Sequence, residues 1–245
     1  MNIGIYGDSF TEYDIRATSF HWSNIVASKL NAETTNLGRS STSLFYSYKE
    51  FLKNYTKHDL ILFAVTEPER YTKIFDWCDR PLSIRNNGYV SNYSQTQALK
   101  REATNEQDKK MLTHLEGWFI MNDPAYQNDM HELMLQHMES LHKNIIFYPC
   151  FDRSFSSLRY SQHNFPVIHN MYSIFNLQLQ LVNYGRQHDT IDSERENPNV
   201  IAGHLAPEMN EHIAEAMLNK ITTGDWKFSD LYDIKLKNPA SYYYC

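Results

Sequence analysis

The sequence predicts an α/β fold built on a mostly parallel, doubly wound sheet with helices on both faces. Three observations predict it. Short apolar runs alternate with segments of helical periodicity, the first half reads in the order βαβαβ, and two runs, 59–66 and 144–149, are apolar enough for strands buried on both sides. The first strand covers Asn2 to Tyr6 and hands over at Gly7-Asp8-Ser9, after which apolar residues recur at mostly helical spacing over 18–30. A second strand over 34–37 closes at Gly38, a helix is expected over 41–55, and DLILFAVT over 59–66 supplies the third strand. A helix carrying Met and Leu over 124–142 leads into the strand at 144–149. The last clear helix is 207–221, with Pro207 in its first turn, where a missing amide proton costs nothing.

The 245 residues, 42% of them hydrophobic, suffice for one core with additions, and a single domain over 1–245 is expected. Two stretches break the alternation and read as insertions, about 71–123 and 151–199, the second with a helical pattern near 167–184. The tail 241–245 is aromatic but short. Lys and Arg number 23 against 29 Asp and Glu, for a formal charge of −6 without a basic block, which argues against a nucleic-acid partner. No apolar run reaches the roughly 20 residues needed to span a bilayer, and the first residues lack the pattern of a secretory signal. A soluble chain in a reducing compartment is the expectation. Cys78, Cys150 and Cys245 form no C-x-x-C pair, which argues against a disulfide framework and a structural zinc. His131, His137 and His142 are spaced by six and five, so they do not share a helix face as metal ligands would. No glycine-rich phosphate loop is present, and no metal or organic cofactor is implied.

Three positions suit acyl chemistry. Ser9 follows the first strand, where a hydroxyl can project at the carboxyl edge of the sheet. Gly38 follows the second strand, where its amide can face the same crevice without side-chain obstruction. His204, in Gly203-His204-Leu205-Ala206-Pro207-Glu208, precedes the last helix on a loop from which an imidazole can reach a serine.

Together these blocks resemble the GDSL esterases of the SGNH hydrolase superfamily. The likeness covers the two ends and the middle of the chain, and the block from His204 to Glu208, followed by Asn210 and His212, is its more specific part. It implies a three-layer α/β/α sandwich, Ser9 as nucleophile, His204 as base, and oxyanion donors at the Ser9 and Gly38 amides, with Thr66 a candidate third donor. Two positions depart from the family pattern. The acid expected three residues before the histidine is Ile201, which leaves Asp192, Glu194, Glu196 or a backbone carbonyl to orient the ring. The third block, Thr66-Glu67-Pro68-Glu69-Arg70, carries Glu67 where the family has an asparagine, and an ionised carboxylate repels an oxyanion. Burial could protonate Glu67, Thr66 or Arg70 could donate in its stead, or Glu67 could pair with Arg70; the residues alone leave these open, as they do an auxiliary role for Asp8. Read without the family, Thr66 and Pro68 are a helix start.

The resemblance implies hydrolysis of a small acyl ester. The aromatic residues of the insertions point to an O-acetylated carbohydrate. The competing readings are a carbohydrate-binding or virion-associated structural module that has lost turnover, and an O-acyltransferase. The Thr-x-Pro-x-Arg variant is similar to that of phage-encoded relatives, which makes a virion an alternative location to the cytoplasm.

Overall fold

The computed structural model describes residues 1–12, 21–39, 42–68, 70, 73–74, 89–90, 97, 100–101, 103, 105–121, 123–151, 154–155, 160 and 207–227. The elements run β1 (Asn2–Tyr6), α1 (Trp22–Leu30), β2 (Glu33–Asn36), α2 (Leu44–Asn54), β3 (Leu60–Val65), β4 (Lys73–Ile74), β5 (Tyr89–Val90), α3 (Glu106–Met121), α4 (Pro124–Leu141), β6 (Ile145–Pro149) and α5 (Pro207–Thr223). Four strands form a parallel sheet in the order β2-β1-β3-β6, and β4 pairs with β5 in a separate antiparallel ribbon. The α/β expectation therefore holds.

Period-two alternation in the strands feeds two apolar layers. Ile3 and Ile5 of β1, with Leu60, Leu62 and Ala64 of β3 and Tyr148 of β6, face Trp22 and Val26 of α1 and Ile213 and Met217 of α5. The opposite face presents Tyr6, Ile61, Phe63, Val65 and Phe147 to Leu44 and Phe51 of α2 and Leu135 and Met138 of α4. All six residues of β3 are buried. A buried aliphatic or aromatic side chain contributes about 1.5–3 kcal/mol, so this central strand anchors both layers.

The helix starts are set by side chains. Helix α1 begins at Trp22 rather than at 18, because His21 has extended backbone and its imidazole accepts from the Ser23 amide at 3.3 Å. Ser43 caps α2, and Asp123 caps α4 with Pro124 beside it in the first turn. The second strand lies one residue earlier than expected, at Glu33–Asn36, and alternates exposed with half-buried residues as an edge strand does. The expected insertion at 71–123 contains a full helix, α3. No helix starts at Thr66, which lies on irregular chain beyond β3. No helix among the described residues is long and apolar enough to cross a membrane.

In the order β2-β1-β3-β6 the chain leaves β1 toward one side of the sheet and later returns to its other side. The crevice between the carboxyl ends of β1 and β3 is thus the switch point, where open parallel sheets bind ligands.

Candidate functional site

The β1 exit is fixed by backbone geometry. Gly7 has φ +146°, and a Cβ there would lie 2.5 Å from Ala64 Cβ and 3.0 Å from the Thr11 side chain, so only glycine fits. The Asp8 carbonyl accepts the amides of Thr11 and Glu12, both at 3.0 Å, and the Thr11 hydroxyl at 2.7 Å. Asp8 Oδ1 accepts from the Phe10 amide at 3.1 Å. Asp8 therefore caps a single helical turn with Ser9 half-buried at its start. Among the described residues nothing accepts the Ser9 amide proton.

The segment after β2 packs against this turn. The Arg39 amide donates to the Gly7 carbonyl at 3.0 Å, and a Cβ on Gly38 would overlap the Thr11 side chain. Close approach thus accounts for the glycine, and brings Gly38 beside the Ser9 turn. Its amide, however, donates to Asn36 Oδ1 at 2.8 Å, while Asn36 Nδ2 donates to the Thr11 carbonyl at 2.5 Å.

The β3 exit is held by side chains. Thr66 is buried and its carbonyl accepts from His131 Nε2 at 3.1 Å, which assigns the proton of that imidazole to Nε2. Burial pushes the His131 pKa down to about 4, against the opposing effect of the bond to Thr66. The Thr66 hydroxyl is buried and has no partner among the described residues. Arg70 reaches across the crevice: Nη1 lies 3.5 Å from Asp8 Oδ2, Nε lies 3.3 Å from Glu67 Oε2, and the guanidinium sits 4.0 Å from the Phe151 ring centroid. The paired alternative for Glu67 and Arg70 is the arrangement found. Asp8 is fully buried, so Arg70 is the countercharge that makes its carboxylate tolerable.

The end of β6 completes the cluster. The Cys150 thiol donates to Asp8 Oδ1 at 3.6 Å, and burial, followed by the nearby Asp8 charge, raises its pKa well above the ordinary thiol value. It is a packed hydrogen-bond donor, and not a reactive thiolate. His131 and Cys150 were not singled out by the sequence for these roles, because their partners lie 65 and 142 residues away.

His204, Ile201, Asp192, Glu194 and Glu196 lie outside the described residues, and so does the helical pattern near 167–184. The start of α5 is described, and it is tied to the Ser9 turn. Asn210 Oδ1 accepts from the Trp22 amide at 2.9 Å, and the Trp22 indole Nε1 donates to the Phe10 carbonyl at 3.1 Å. Among the described residues no group of His, Cys, Asp and Glu is arranged to hold a metal ion.

No family model matches the chain, and no curated protein matches it. Among solved structures, the chain is similar to a protein assigned to the lipolytic G-D-S-L family from Desulfitobacterium hafniense DCB-2, at 14% identity and a TM-score of 0.27, covering 60% of this chain and 76% of that one.

Proposed function

We propose that the chain is a serine esterase or deacylase of the SGNH type, acting on a small acyl ester such as an O-acetylated carbohydrate. The observation that carries this reading is the relay from Phe10 through Trp22 to Asn210, which ties the Ser9 turn to the first turn of α5. His204 precedes that helix by three residues, at most about 11 Å of extended chain, so its tether begins at a helix joined through Trp22 to the Ser9 turn. In this reading neutral His204 takes the Ser9 proton as Oγ attacks the carbonyl, an acyl-enzyme forms, and water releases the acid. The Ser9 amide meets the developing oxyanion. The Gly38 amide joins it by sharing or releasing its bond to Asn36, and Thr66 remains a third candidate.

Incubation with a fluorophosphonate probe followed by peptide mapping tests the proposal. An adduct on Ser9 that Ser9→Ala abolishes is expected. Because the base must be neutral, ester hydrolysis should decline below about pH 6.5, the ordinary imidazole value. The committed Gly38 amide and the Glu67–Arg70 pair favour a second reading, a binding module without turnover. An unlabelled, hydrolytically inert protein that still binds acetylated glycan would establish it in place of the first.

A further inference from the structure

Four groups at the carboxyl edge are candidate donors to an oxyanion formed at Ser9: the Ser9 amide, the Gly38 amide, the Thr66 hydroxyl and the Arg70 guanidinium. Two are engaged or covered, since the Gly38 amide already donates to Asn36 and Thr66 is only 2% exposed. Arg70 differs. Its Nη1 faces Asp8 and its Nε faces Glu67, yet Nη2 has no partner among the described residues, and the side chain is 12% exposed. Asp8 immediately precedes Ser9, so the guanidinium is anchored to the residue beside the nucleophile. We infer that Arg70 is a catalytic residue of this site: its unengaged N–H edge and the Ser9 amide together take the oxyanion.

The inference rests on the serine-hydrolase reading above. Its basis is orientation: the ion pairs to Asp8 and Glu67 hold the guanidinium in place before any substrate arrives. An oxygen that gains charge during attack therefore meets an N–H donor already oriented, and that hydrogen bond strengthens as the charge develops, which favours the transition state over the bound substrate. In the step itself the Ser9 Oγ–carbon bond forms, the carbonyl π pair moves onto oxygen beside Arg70, and the Ser9 proton passes to the base. On collapse the pair returns, the bond to the leaving alcohol breaks, and that alcohol takes the proton.

The test is hydrolysis of p-nitrophenyl acetate by the wild type, Arg70→Lys, Arg70→Gln and the double variant Asp8→Asn/Arg70→Gln, which removes the buried carboxylate that loss of Arg70 alone would strand. Expected is a fall in kcat of about 10²–10³-fold in the glutamine variants, with KM nearly unchanged and partial rescue by added guanidinium ion. Arg70→Lys, which keeps the charge but loses the planar fork, should fall between them and the wild type. Folded Arg70 variants that keep kcat within a few-fold, while the wild type labels at Ser9 and hydrolyses the ester, would overturn the role of Arg70 alone. A wild type that neither labels nor hydrolyses would remove the hydrolase reading and the inference with it.

Discussion

The exits of β1 and β3 lie side by side at the same sheet edge, yet they are built by different means. The β1 exit is shaped by backbone: a glycine in a conformation closed to other residues, a carbonyl that collects three donors, and one carboxylate capping a short turn. The β3 exit has no such frame and depends on side chains borrowed from elsewhere, with His131 holding the Thr66 carbonyl and Arg70 stretched between Asp8 and Glu67. The first is rigid by covalent geometry, the second by electrostatics. The serine sits on the backbone-shaped part, and Asp8 is the point at which the charged groups of the other part reach it.

That contrast can be broken most severely at Gly7. Gly7→Ala combines an unfavourable φ with the close approach to Ala64, and should cost about 4 kcal/mol in the urea-unfolding free energy. Next comes the β3 side. Arg70→Met leaves the Asp8 carboxylate buried without a countercharge, and should cost about 3 kcal/mol. Adding Asp8→Asn should recover much of that loss, and a thermodynamic double-mutant cycle that shows additive effects would contradict the pairing.

Acid should act on the same exit. The folded pKa of His131, about 4, lies below the ordinary 6.5 of an unfolded imidazole, so protons bind the unfolded chain first. The contribution is complete above pH 6.5 and is lost as pH falls toward 4, by about 3 kcal/mol for this group. Burial lowers the pKa of His58 as well, which acts in the same direction. Urea titrations of the wild type and His131→Leu across this range should show a shallower acid decline in the variant; equal slopes would exonerate His131. The smallest change is expected for Asn36→Ala. It releases the Gly38 amide and the Thr11 carbonyl at a cost of about 1 kcal/mol, and ester hydrolysis that rises in this variant would identify Asn36 as a brake on the Gly38 donor.

The difference between the two exits also explains what the sequence revealed. Strand β3 was legible because LILFAV is apolar throughout and both faces are covered, and the alternation of strands with helices was enough for the fold class. Gly7 was legible as part of the turn that ends the first strand, and Gly38 as a place where an amide can face the crevice unobstructed. Helix α3 was not, because its apolar residues include the exposed Ile120 and Met121 and do not mark one buried stripe. The start of α1 was missed because its cap is a histidine, a residue with no strong preference for that position. Asp8, Glu67 and Arg70 were visible as individual charges, and the i, i+3 spacing allowed the Glu67–Arg70 pair. Nothing local connects Arg70 to Asp8, or His131 to Thr66, since those meetings exist only after the strands have paired.

The bond between Trp22 and Asn210 joins residues 188 positions apart. At roughly 5–20 residues per second, a ribosome needs about 10–40 s to make the intervening chain. Until α5 emerges, α1 is the one helix among the described residues that can cover this flank of the nascent sheet, leaving part of its tryptophan and isoleucine surface available to chaperones.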